Sequence, residues 1–267
     1  MFLQSRNLKS SEIFFVLGLG YLACSLFTFF FIKNINLPTL VNFFYILIWS
    51  SSIAVIMLLF FEFKYLINIE DIIIAKSLAP TIGVFFSGDF SQENMPLKQK
   101  LINLFPIVIL LLIIISKNPS LDNIKVFVFV LALYVVAQTF VRLLARNVKT
   151  TTIFTFGGVI IFLETIIFKA FTKEAALTFD FPLFYIIIVG VSLFFIQIGY
   201  LKGLKKLMPT SSTVVISSSV PISIIVHSVI SSSKVNVVQV SLALLYIGIV
   251  YLTVMIRQKW ISKQQPF

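Results

Sequence analysis

The chain is divided almost end to end into apolar runs separated by short polar turns. A helix needs about twenty such residues to cross roughly 30 Å of hydrocarbon, at about 1.5 Å per residue. Runs of that kind lie near 11–32, 38–63, 69–88, 97–116, 122–145, 150–171, 180–202, 207–231 and 236–257. The connections include Asn34-Ile35-Asn36, Ser87-Gly88-Asp89 through Pro96, Lys117-Asn118-Pro119-Ser120, Arg146 to Lys149 and Ser231-Ser232-Ser233, all turn-type. This pattern predicts an all-α integral membrane protein of about nine transmembrane helices, with no soluble domain.

Composition agrees with lipid as the main solvent. Hydrophobic residues make up 59% of the 267 and charged residues 12%, with 30 Phe; no water-soluble fold hides that much apolar surface. The net charge of +11 comes from short clusters of Lys and Arg between the runs, where cations set topology. Nucleic acid is therefore excluded as a partner, and the lipid bilayer is expected. One Cys and one His rule out a disulfide framework and a Cys/His zinc site. No P-loop and no GxGxxG motif occurs, so neither metal nor cofactor is expected. Arg6 and Lys9 precede the first run and Cys24 follows Leu22-Ala23, in loose imitation of a cleaved leader. Hydrophobicity continues to Ile32 and further spans follow, so the run reads as a retained helix.

The second half fixes the expected orientation. Arg142, Arg146, Lys149, Lys202, Lys205, Lys206, Arg257, Lys259 and Lys263 fall on one side if the C-terminus is cytoplasmic. An odd number of spans then puts the N-terminus outside, in the cell membrane, as in a bacterial inner membrane.

Lys76 and Glu164 are the ionisable groups that stand clearly inside spans. A charge at mid-bilayer costs several kcal/mol and must be paired or hydrated. At about 1.5 Å per residue, Lys76 lies roughly 10 Å from the outer face and Glu164 roughly 21 Å from the inner one, hence at similar depth. One reading makes Lys76 a contact for an anionic substrate group and Glu164 a proton-accepting or cation-contacting group. The other makes them a structural pair, or leaves Lys76 snorkelling outward.

Polar stripes at helical spacing add candidates. Asn42, Tyr45, Trp49 and Ser52 share a face of the second run; Tyr134, Gln138 and Arg142 of the fifth; Gly190 and Gln197 of the seventh; Ser212, Ser219, Ser223 and His227 of the eighth. They would line a cavity for a polar solute. Alternatively, Ser and Thr bond the carbonyl four residues earlier and small residues serve helix packing. His227, near the outer interface, reads as a wetted or capping residue in preference to a pH switch, for which the near-neutral pKa of histidine is the one argument. Gly199-Tyr200-Leu201-Lys202-Gly203 matches GxxxG at a helix end and is compatible with a homodimer.

The third and eighth runs look like copies of one another. Ile72 to Thr81 and Thr213 to Ile222 each place a mid-span Pro, Pro80 or Pro221, after a stretch with small residues. An offset of five spans means opposite threading, the inverted-repeat signature of secondary transporters, with the interrupted helices marking the site. On these residues the chain resembles the drug/metabolite transporter superfamily, specifically its EamA-like members. Pro80, Glu93 and Gln99 fit the family pattern in the first copy, and Pro221, Gln239 and Gly248 in the second. The resemblance implies a ten-helix fold lacking its first helix, whether as a natural nine-span form, a shortened product or a chain with a start further upstream. It departs at Lys234, where the second copy would carry Glu. The implied halves are 1–116, with four spans, and 117–267, with five.

The function expected from the resemblance is secondary active transport of small polar metabolites by alternating access around Pro80 and Pro221, without enzymatic activity. Lys76, Pro80, Asn42, Tyr45, Trp49, Gln138, Glu164, Gln197, Ser219, Pro221 and Ser223 are the candidate substrate contacts. Two alternatives are an accessory or lipid-flipping subunit needing a partner, and a membrane enzyme on a lipid-linked substrate. Glu62, Lys64, Glu70 and Asp71 cluster at the outer face, but a solvated loop explains them better than a catalytic set.

Overall fold

The computed structural model describes residues 10–32, 35–62, 69–86, 104–117, 119–171 and 237–264, with the isolated positions 188, 192, 199, 220 and 222. The described residues form seven helices and no strand: α1 Ser10–Ile32, α2 Leu40–Glu62, α3 Ile69–Phe86, α4 Leu104–Ile115, α5 Leu121–Asn147, α6 Thr150–Phe171 and α7 Val237–Gln264. The runs predicted at 180–202 and 207–231 lie outside the described residues, apart from the isolated positions, which are helical. Four helices, α1, α2, α5 and α6, are long and apolar enough to cross a membrane, and α4 and α7 carry shorter apolar stretches. In α3, Glu70, Asp71 and Lys76 interrupt the apolar character.

Local chemistry sets the helix ends. Thr39 caps α2, its hydroxyl accepting from the Asn42 amide at 3.3 Å while its carbonyl accepts from Phe43 at 2.8 Å. Ser120 caps α5 reciprocally: its hydroxyl accepts from the Asn123 amide at 3.2 Å and donates to Asn123 Oδ1 at 2.6 Å. Asp122 in the first turn of α5 and Arg146 in the last complement the helix dipole.

Contacts divide the chain into two compact units, 1–64 with 136–206 and 65–135 with 207–267. Each takes segments from both sequence halves.

In the first unit α1 packs most extensively on α6, which also packs on α2. Paired positions run in opposite directions along α1 and α6. Phe14 meets Phe168 edge-on, with ring centroids 5.7 Å apart, Gly18 faces Thr165, and Ser25 donates to the Phe154 carbonyl at 3.1 Å. The helices are therefore antiparallel. The crossing is reciprocal: Gly18 of α1 meets the hydroxyl-bearing Thr165 of α6, and Gly158 of α6 meets the hydroxyl-bearing Ser25 of α1. Each helix offers a Gly and, about two turns later, a Ser or Thr. A Cβ on Gly18 would lie 2.7 Å from Cγ2 of Thr165, and one on Gly158 would lie 2.7 Å from the Tyr21 carbonyl oxygen, so only glycine permits this approach.

Paired positions on α2 and α6 instead rise together, Phe43 with Phe156, Trp49 with Gly157 and Ser51 with Glu164; these helices are parallel. Val148 and Lys149 alone separate α5 from α6, and a buried cluster of Ile46, Trp49, Ala137, Val141, Leu144, Ile153 and Phe154 joins α2, α5 and α6. Asn36, between α1 and α2, is tied to the start of α6. Its amide donates to Thr152 Oγ1 at 3.2 Å, its carbonyl accepts from the same hydroxyl at 3.1 Å, and its side chain accepts from Lys149 Nζ at 3.2 Å. The two short connections thus share one face of the unit.

In the second unit α4 packs on α3 and α7. Buried positions recur at helical spacing: Ile74, Ala75 and Leu78 in α3, Ile109, Leu110, Ile113 and Ile114 in α4, Ala243, Tyr246 and Val250 in α7. Lys117, just after α4, pairs with Asp71 in the first turn of α3 at 2.8 Å, with both side chains largely buried. That bond places the end of α4 and the start of α3 at one face.

Both units leave large apolar side chains outward, among them Phe29, Phe30, Leu163 and Ile167 in the first and Phe105, Leu112, Leu244 and Leu245 in the second. Helices apolar on every side fit a lipid surround.

The tight crossing gives a stability test. Gly158→Leu should lower stability by about 1–3 kcal/mol through overpacking, read as an earlier thermal unfolding transition in detergent. Gly248→Leu, at an exposed position with nothing within 4 Å among the described residues, should leave that transition unchanged.

Candidate functional site

Hydroxyl chemistry separates structural from functional polar groups in the first unit. Ser25, Thr28, Ser50 and Ser52 each donate to the carbonyl four residues earlier, those of Tyr21, Cys24, Ile46 and Ile48. Such bonds satisfy the hydroxyl within its own helix. Ser52, one of the predicted stripe residues, is thereby a local structural group.

Ser51 behaves differently. Its hydroxyl donates across the helix pair to Oε1 of Glu164. Three consecutive serines on a helix point about 100° apart, so the run Ser50-Ser51-Ser52 presents a hydroxyl to three directions, and one meets α6. The periodic stripe that selected Ser52 passed over Ser51; the triple-Ser run at mid-helix was the available signal. Oε2 of Glu164 is buried and has no hydrogen-bond partner among the described residues. Thr155 Oγ1 is in the same situation, but nine residues away along α6 it lies on the opposite side of the helix. On α5, Nε and Nη2 of Arg142 are also buried without hydrogen bonds of their own, although that residue has other interactions; the carboxyl with an unpartnered oxygen among the described residues is that of Glu164, held by Ser51.

Two other predicted residues of the first unit, Trp49 and Tyr45, pack against neighbouring groups. Trp49 is 3% exposed and lies in the α2–α5–α6 cluster, where a Cβ on Gly157 would come 2.6 Å from its Cζ3. Tyr45 is half-buried with its ring centroid 5.3 Å from that of Phe140. Asn42 is half-buried in the first turn of α2 and Gln138 is buried. Gln197 lies outside the described residues.

The second unit holds Lys76 and Pro80, both on α3. Lys76 is half-buried, flanked by the buried Ala75 and Ser77. Ser219, Pro221, Ser223 and His227 lie outside the described residues, as do Glu93, Gln99 and Lys234; Gln239 and Gly248 are on α7. Among the described residues, no three His, Cys, Asp or Glu side chains gather as a metal site would require.

The chain matches no family model and no curated protein. What the site can do is therefore argued from its own geometry. A hydrogen-bonded carboxyl inside an apolar helix pair can exchange a proton or contact a cationic or hydrogen-bonding solute.

Trp49 separates packing from cavity lining. As a packing residue, its truncation in Trp49→Ala should cost about 3–5 kcal/mol of stability, measured as loss of the folded fraction on heating in detergent. A wall residue of a hydrated cavity would instead leave the unfolding transition nearly in place.

Proposed function

We propose that this chain is an EamA-like secondary transporter of small polar metabolites, working by alternating access in the cell membrane. It would span the bilayer about nine times as two inverted halves, 1–116 and 117–267, with the C-terminus cytoplasmic. The reciprocal crossing of α1 and α6 is the observation that carries this reading. These helices are the first and sixth predicted spans, so their antiparallel course is what an offset of five between inverted copies requires. Their exchange of Gly18 against Thr165 and Gly158 against Ser25 is the pattern that a two-fold axis in the membrane plane would impose on a helix pair.

The division into units supports the same symmetry. By chain range, the first unit takes the first, second, sixth and seventh spans and the second takes the third, fourth, eighth and ninth, with the fifth shared. Adding five to a span number never leaves its unit. The tie of Asn36 to Thr152 and Lys149 agrees with a shared cytoplasmic face for those two connections, and the Lys117–Asp71 pair with a shared outer face. Each unit also contributes an ionisable group from mid-helix, Glu164 to the first and Lys76 to the second. Such groups mark substrate and ion pathways in membrane proteins.

Threading is tested with engineered cysteines, since the buried Cys24 is the single native one. In a Cys24→Ser background, cysteines at Asn36 and Lys149 should react with a membrane-impermeant maleimide only from the cytoplasmic side, and one at Lys117 only from outside. Labelling of Asn36 and Lys149 from opposite sides would sink the inverted threading. Purified protein in liposomes should exchange members of a panel of radiolabelled amino acids, nucleosides and cationic drugs. Lys76→Ala should reduce that exchange about tenfold or more, the scale of one lost charged contact; exchange of none of the panel by the wild type would defeat the transport reading.

A further inference from the structure

The Ser51–Glu164 pair has a feature that substrate contact does not explain. One carboxyl oxygen accepts a hydrogen bond from the Ser51 hydroxyl, and the other is buried with no partner among the described residues. An ionised carboxylate accepts at about four lone-pair sites and, buried in an apolar span, needs a cation or several donors. The charged or titratable groups of this unit on the described helices packed around it are Glu12, Tyr21 and Cys24 on α1, Tyr45 and Glu62 on α2, and Arg142 and Arg146 on the part of α5 from 136 onward, with Lys169 on α6 itself. Lys169 lies over the Phe15 ring, 5.1 Å from its centroid, and Tyr45 tilts against Phe140. Among the described residues, none of these hydrogen-bonds to Glu164. A metal cation would need several further oxygens, and the described residues gather no such set. A proton needs one oxygen.

We propose that the Ser51–Glu164 pair is a proton-binding site and that Glu164 carries the coupling proton of the transport cycle. In the dry arrangement the carboxyl is neutral, with Ser51 donating to Oε1 and the proton on Oε2. When one side of the unit hydrates, the Oε2–H bond breaks and the proton passes to water, leaving a solvated carboxylate; hydration from the other side reverses the transfer. Ser51 keeps its own hydrogen throughout, so one proton is carried per cycle and nothing is oxidised or reduced.

The proton site itself needs no solute for its test, whereas the coupling role rests on the transport reading. Infrared difference spectroscopy of the wild-type protein in nanodiscs, across roughly pH 5 to 9, should show a protonated-carboxyl C=O band. The band should be absent from Glu164→Gln and moved in frequency in Ser51→Ala. No such band in the wild type, or the same band persisting in Glu164→Gln, overturns the site. In proteoliposomes given the metabolite panel, an imposed pH gradient should stimulate wild-type uptake, and the ratio of uptake with and without the gradient should fall to about one in Glu164→Gln. An undiminished ratio in that variant overturns the coupling role. No uptake by the wild type removes the transport reading and the coupling role together, and the infrared band still decides the proton site.

Discussion

Contact between α1 and α6 is the constraint on which the first unit depends. In lipid, helices gain nothing from hiding apolar surface from one another, so association rests on close packing and interhelical hydrogen bonds. Gly18 and Gly158 remove the side chains that would hold the helices apart, and Ser25 reaches the Phe154 carbonyl across the gap. With that pair set, α2 docks along α6 with Trp49 against Gly157, and Ala137, Val141 and Leu144 of α5 complete the buried cluster. The position of Ser51 opposite Glu164 follows from this docking.

Helix existence was legible from the sequence and helix partnership was not. The first, second, third, fifth and sixth runs begin and end within a few residues of α1, α2, α3, α5 and α6, because an uninterrupted apolar run bounded by Pro, Asn, Ser or Lys has few alternatives. The fourth run matches a helix described from Leu104 and the ninth one reaching Gln264. Which helices touch depends on small residues at a few positions. In spans apolar on every side, period alone does not single those positions out.

The candidate site was legible in part for the same reason. Glu164 stood out because a carboxyl inside an apolar run is costly wherever it points. Trp49 and Tyr45 drew notice as a polar stripe, yet their rings are mainly apolar surface, and the structure uses them in packing against Gly157 and Phe140. Ser51 escaped notice because serine is cheap in a membrane helix, and only the tertiary partner distinguishes it from Ser50 and Ser52.

The two acceptors of the Ser25 hydroxyl bear on how the chain is assembled. Its hydrogen bond to Phe154 joins residues 129 apart in sequence, and ribosomes extend chains at about 5–20 residues per second. Roughly 6 to 26 seconds of synthesis therefore separate the two residues. During that interval the Tyr21 carbonyl, 2.9 Å away within the same turn, keeps the hydroxyl satisfied. Taken alone, α1 already satisfies this hydroxyl, and the contact with α6 adds a second acceptor instead of supplying the first.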